Sequence, residues 1–265
     1  MAQAQSFFNV LYHTETISDI VNAFAELPSL YQHVIDNLVL PDLPNTVVDG
    51  KTISAWTTDW WQWALQAPAG QGPLDSAESA ATHYNNDGKI FFIAGGPDAT
   101  ITVAAGKPIL FPMVNIFDTE GPGLPPSDPG FQGSYDAASK RVTDLGQANI
   151  TDAFAKITKD GHTLLNIRWP LSAFFAEKSD QFAIGVPQDG SYLENLLGSA
   201  LPLDDAIKDL PFSRSAGDWL MLNGLKPGTY TLDFGGSIAE TQDPVTGSTV
   251  LPAFSVHTTD TLIVS

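Results

Sequence analysis

The amino-acid sequence predicts a mainly β protein: an antiparallel β-sandwich, jelly-roll-like, with N-terminal helices and helical insertions. Apolar runs of strand length recur from residue 88 to the C-terminus, separated by Gly, Pro and Asp clusters. Asp160-Gly161 lies between two such runs, a strong hairpin signal. The runs also follow one another without the helix that each crossover of a parallel sheet requires.

The elements can be taken in order. Ile17, Ile20, Val21 and Phe24 fall at helical spacing, and Leu30, Val34, Ile35 and Leu38 repeat the pattern after Pro28. Pro41 and Pro44 break the chain, which separates an N-terminal helical arm, 1–45, from a sandwich domain, 46–265. A Trp-rich helix is predicted over Thr52–Gln66, with Ser54 as N-cap and Pro68 to Gly70 as its stop. Strands follow over Lys89–Ala94, Thr100–Val103 and Pro108–Val114. An acidic loop then starts at Asp118 and passes into the Gly/Pro-rich stretch 121–133, and Tyr135–Ala148 reads as a helix. Strands resume at Ala153–Thr158, His162–Trp169 and Phe182–Val186. After a polar, partly helical segment at 191–210 come Asp218–Leu222, Thr229–Phe234 and Phe254–Val264.

The chain has 265 residues, no cysteine and a formal charge of −18, from 30 Asp and Glu against 12 Lys and Arg. Only 16% of its residues are charged, so the acidity reflects scarce cations beside an ordinary number of carboxylates. With 43% apolar residues, 15 Phe and 6 Trp among them, the chain is not a disordered acidic tail. Nothing in it neutralises a run of phosphates, which argues against a nucleic-acid partner. No stretch approaches the roughly 18 apolar residues of a membrane span. The absence of cysteine excludes disulfides and thiol chemistry. Met1 to Phe8 has neither a basic n-region nor a long apolar core, and does not read as an intact signal peptide.

Four residues make the predicted ligand-binding set. On a helix, Trp56, Trp60 and Trp63 fall within about 60° of arc, while Trp61 points roughly 140° away from Trp56. The stripe of three reads as the anchor of the helix on the sandwich. Trp61, with Gln62 beside it, reads as exposed and suited to a sugar ring, whose C–H face is apolar and whose rim is polar. Arg168 alternates with apolar neighbours, reads as half-buried, and calls for a carboxylate from the protein or from an anionic ligand. Tyr230, in the last hairpin, is grouped with them.

A second set bears on catalysis and metals. Asp118, Glu120 and Asp128 offer oxygen ligands in a turn-rich stretch able to fold around Ca²⁺, although their spacing matches no EF-hand. The alternative is a group of solvated loop carboxylates. His83, in a polar segment, is the acid–base candidate, with Asp118 and Glu120 beside it if the chain is an enzyme. His162 and His257 read as ordinary surface or edge residues. No nucleophile elbow, H-E-x-x-H, Walker loop or dinucleotide fingerprint is present.

Several stretches carry a resemblance: Lys51–Leu65 (KTISAWTTDWWQWAL); Lys89–Pro112 with its Gly-Gly pair; the Lys159-to-His162 hairpin; and Gly217–Gly236 (GDWLMLNGLKPGTYTLDFGG). They resemble an uncharacterised family of bacterial exported proteins, as scattered motifs through most of residues 50–265. The resemblance implies a secreted or periplasmic, strand-rich single domain and brings no assigned chemistry. Members often carry a cysteine pair near the segments matching Ala80–His83 and Ile101-Thr102, and His in place of Tyr230; this chain has neither.

These readings lead to a secreted or surface-associated protein, extracellular or periplasmic, that binds a neutral glycan or other small polar ligand. The alternatives are a hydrolase using His83 or the loop carboxylates, and a self-assembling structural or matrix protein that docks through residues 17–40.

Overall fold

Alternating apolar positions set the strands, and their pairing makes two five-stranded sheets in the computed structural model, which describes residues 39, 41–82, 86–120, 149–185, 209–242 and 249–265. Sheet 1 joins β3 (Phe91–Phe92), β5 (Ile109–Glu120), β10 (Asp209–Leu222) and β8 (Ala176–Lys178), with β9 (Phe182–Gly185) also paired to β10. Sheet 2 runs β4 (Thr100–Val103), β14 (Phe254–Val264), β11 (Gly228–Ile238), β6 (Ile150–Lys159) and β7 (His162–Arg168). Two small pairs stand apart: β1 (Val47–Val48) with β2 (Lys51–Thr52), and β12 (Thr241–Gln242) with β13 (Thr249–Leu251). The protein is mainly β and sandwich-like, as predicted. Pairing is antiparallel except for β3 on β5 and β4 on β14, which are parallel.

The inner faces of the two sheets share one apolar core. Phe111 on β5 meets Phe234 on β11 at 5.0 Å between ring centroids, among buried Ile101, Ile157, Leu220 and Leu262. The other face of sheet 1 is covered by α1 (Ile53–Gln66). Its N-cap is Thr52, whose hydroxyl accepts the Ala55 N–H. The expected cap, Ser54, instead donates to the Lys178 carbonyl and ties α1 to β8. Trp56 and Trp60 are buried, and their indoles donate to the carbonyls of Val48 and Ile93, each at 2.8 Å. Burying each indole contributes about 2–3 kcal/mol. Among the described residues, no element covers the outer face of sheet 2.

Several strands are longer than predicted, because long-range pairing carries them through residues that read locally as breaks. β5 and β10 stay in register from Leu222 opposite Ile109 to Phe212 opposite Glu120, with Met113 as the extra residue of a bulge. Asp118 is therefore a strand residue opposite Arg214, not the start of a loop. β11 continues through Gly235-Gly236, where side chains would not fit: a Cβ would lie 2.2 Å from the Val256 carbonyl oxygen and 2.5 Å from that of Asp152, respectively. β3 is shorter than predicted, since the Asn86 amide bonds both the N–H and the carbonyl of Phe92 in place of a neighbouring strand. The N-terminal helices, the 121–133 loop, the 135–148 helix and the segment 191–208 lie outside the described residues. So does the proposed docking segment, apart from residue 39. No helix among the described residues is long and apolar enough to cross a membrane.

Two features lead to predictions about stability. Tyr230 is buried between the sheets, and its hydroxyl donates to the Lys226 carbonyl at 2.8 Å, forming a tyrosine corner on Leu225-Lys226-Pro227-Gly228-Thr229-Tyr230. Tyr230→Phe is expected to cost about 1 kcal/mol and to lower Tm by about 2–4 °C without changing the fold, measured by calorimetry.

Asp218 and Asp260 are buried carboxyls. Asp260 accepts the Ala99 N–H at 2.8 Å. Burial pushes each up to about 7, offset in part by the Ser172 hydroxyl for Asp218 and by the Ala99 N–H for Asp260, which the nearby Asp98 raises further. Because the folded-state values lie above the unfolded ones, the native protein holds protons that the unfolded chain has released. Stability therefore falls as pH rises from about 4 to about 7, and the full cost is present above that window. Thermal unfolding at about pH 5 and about pH 8 should show the higher Tm at the lower pH, and Asp218→Asn with Asp260→Asn should raise Tm at the higher pH and flatten the dependence.

Candidate functional site

The outer face of sheet 2 aligns residues of four strands in one row. Ala153, Ala155 and Ile157 point into the core, so Asp152, Phe154 and Lys156 point outward. Register aligns His257 on β14, Gly235 on β11, Phe154 on β6 and Arg168 on β7. The Arg168 guanidinium carbon stands 5.5 Å over the Phe154 ring. The Phe154 and His257 rings meet edge to face at 5.5 Å, across the position where Gly235 has no side chain. His257 Nε2 is 2.7 Å from Asp233 Oδ1. In the adjacent row lie Thr259, Asp233, Lys156 and Asn166. On the other side Ser237 and Ser255 share a hydrogen bond of 2.8 Å. Directly after Arg168 the chain presents Trp169, 41% exposed, and Leu171, 55% exposed.

This arrangement has a definite chemical character. Stacking on Phe154 orients the guanidinium and leaves its N–H edge to solvent. Among the described residues, no carboxylate lies within ion-pair reach of Arg168. Trp169, the next residue in the chain, supplies an exposed indole. The His257–Asp233 pair is exposed, so it is worth at most about 1 kcal/mol to stability; its interest lies in holding the imidazole in one orientation.

The described residues of the set predicted from sequence do not converge. Trp61 is 8% exposed, which corrects its expected exposure. It packs on Trp60 and on Phe117, each at 5.0 Å between centroids, because β5 extends far enough to put Phe117 beneath the off-stripe side of α1. Gln62 donates to the Ala183 carbonyl of β9 at 2.9 Å and pins the helix. Tyr230 is a core residue with its hydroxyl engaged, a correction to its place among ligand-binding groups. Arg168 is exposed where half-burial was expected, since β7 is an edge strand on an open face. Glu120 closes β5; His83 and Asp128 lie outside the described residues. Among the described residues, no three His, Asp or Glu side chains are grouped to hold a metal ion.

Phe154, Asp233, His257 and Trp169 were not singled out as site residues by the sequence. The signal available for them was the Gly235-Gly236 pair inside a strand, which marks a close approach of neighbouring chains. In comparison with protein-family models, with curated proteins and with solved structures, the chain finds no match.

Proposed function

We propose that the protein is an exported ligand-binding module that takes a small polar ligand of the glycan class on the outer face of sheet 2. The observation that carries this reading is the row in which Arg168 stacks on Phe154, with the exposed indole of Trp169 next in the chain. A sugar ring offers an apolar C–H face to the indole and pairs of oxygens to the guanidinium fork. Asn166, Thr259 and Ser255 add hydrogen-bonding groups on flanking rows, and the preset geometry of the row limits the side-chain entropy lost on binding.

The His257–Asp233 pair favours a second reading, a hydrolase in which the carboxylate orients His257 as acid–base group. Turnover of an ester or glycoside that is lost in both His257→Gln and Asp233→Asn, while binding persists, would select that reading.

The binding reading is tested with a glycan array followed by fluorescence titration of the intact chain. The expected result is a saturable change in Trp emission that Trp169→Phe removes, and a loss of affinity of about tenfold or more in Arg168→Ala. An array without binders, or a titration unaffected by both substitutions, overturns it.

A further inference from the structure

Sheet 1 holds a second set of polar groups, on the face that α1 covers. Glu177 on β8, Gly217 on β10 and Asn115 on β5 stand in one cross-strand register. No side chain fits at Gly217: a Cβ there would lie 2.6 Å from Asn115 Cα and 2.8 Å from its Cβ. Ser215 and Trp219, two residues to either side of Gly217, project to the same face. Trp219 meets Trp60 of α1 at 5.3 Å. Ser215 is in register with Phe117, against whose ring Trp61 packs at 5.0 Å.

Five polar atoms of this patch are buried without a hydrogen-bond partner among the described residues: Asn115 Nδ2, Glu177 Oε1, Ser215 Oγ and the indole nitrogens of Trp61 and Trp219. Glu177, Ser215, Trp61 and Trp219 are each more than nine-tenths buried. The Asn45 backbone N–H bonds the Glu177 carboxyl, which holds that group in place while Oε1 stays unpaired. Native interiors rarely leave buried polar groups unsatisfied, and five together on one face indicate that something answers them.

Their chemistry says what that is. The three nitrogens only donate, a Glu177 carboxylate only accepts, and Ser215 does either. A cation would leave the three N–H groups unanswered, and an anion would face the carboxylate. A hydroxyl accepts from the first and donates to the second. The surrounding rings of Trp61, Phe117 and Trp219 suit the C–H face of the same molecule. We infer that this patch is a binding site for a neutral polyhydroxylated molecule, held between α1 and sheet 1 by Asn115, Glu177, Ser215 and the indole N–H groups of Trp61 and Trp219. The site is separate from the Arg168 row and does not rest on it.

Water offers the same hydrogen-bonding capacity, and NMR distinguishes the two occupants. The indole N–H resonances of the ¹⁵N-labelled intact chain are assigned with Trp61→Phe and Trp219→Phe, and glycerol, myo-inositol and D-glucose are each titrated in. The expected result is a saturable shift of these two resonances with at least one probe, together with loss of their cross-relaxation to water. Ser215→Ala and Glu177→Gln should weaken the effect by about tenfold or more, as loss of a buried partner does, and Arg168→Ala should leave it unchanged. Asn115→Ala joins them if it folds; the other two suffice if it does not. Indole protons that keep their water contact and stay unshifted at saturating probe, or that shift only linearly with concentration, overturn the inference.

Discussion

The indole of Trp60 is held by three others, Trp61, Trp63 and Trp219, at 5.0, 5.9 and 5.3 Å between ring centroids, and its N–H is bonded to the Ile93 carbonyl. This cluster seats α1 on sheet 1, and much of the architecture follows from it. A sheet covered by a helix on one side and by a second sheet on the other must be apolar on both faces. Ile109–Val114 and Trp219–Leu222 are accordingly continuous apolar runs, buried throughout. Among the described residues sheet 2 is covered on one face, and β6 and β14 alternate along much of their length. The polar outer face of sheet 2 is thus the counterpart of the tryptophan cluster: among the described residues, the helix covers sheet 1 and no element covers the outer face of sheet 2.

Both candidate sites use the same local device. Gly217 and Gly235 are mid-strand glycines flanked in register by Asn115 and Glu177 in one case and by His257 and Phe154 in the other. In each case the adjacent strand approaches so closely that a Cβ would collide with its backbone. A glycine inside a strand weakens it through lost packing and added unfolded-state entropy. At Gly235 the rings of His257 and Phe154 meet across the strand at 5.5 Å.

The parts of the structure legible in the sequence are those fixed locally. Asp160 and Gly161 take φ values of 52° and 77°, the left-handed pair that a two-residue hairpin turn requires, and the strands on either side follow from it. The Trp helix is legible from its spacing, and Thr100–Val103 from its flanking turns. Trp61 was misplaced because its surroundings depend on β5 reaching Phe117, which only pairing with β10 dictates. The Arg168 row was hidden for a related reason. Alternation says which residues of a strand share a face, but the neighbours across the sheet are set by register between segments far apart in the chain. Residues 154, 168, 235 and 257 carry no mutual signal until β6, β7, β11 and β14 are aligned.

Charge separates the kinds of ligand that the Arg168 row can receive. The protein carries a formal −18, yet the central rows of this face are balanced, with Arg168 and Lys156 against Asp233 and Asp152. At long range an anion meets the field of the whole molecule and is repelled, while a neutral molecule is not. At short range it would find one guanidinium, with its attraction offset by the carboxylates of the adjacent rows. A neutral ligand of the proposed class loses nothing to the field, and its hydroxyl oxygens suit the N–H edge of the guanidinium. Of the two partners that Arg168 called for in the sequence, a protein carboxylate is not found among the described residues. Phe154 meets the guanidinium by its face, 5.5 Å from the ring centroid.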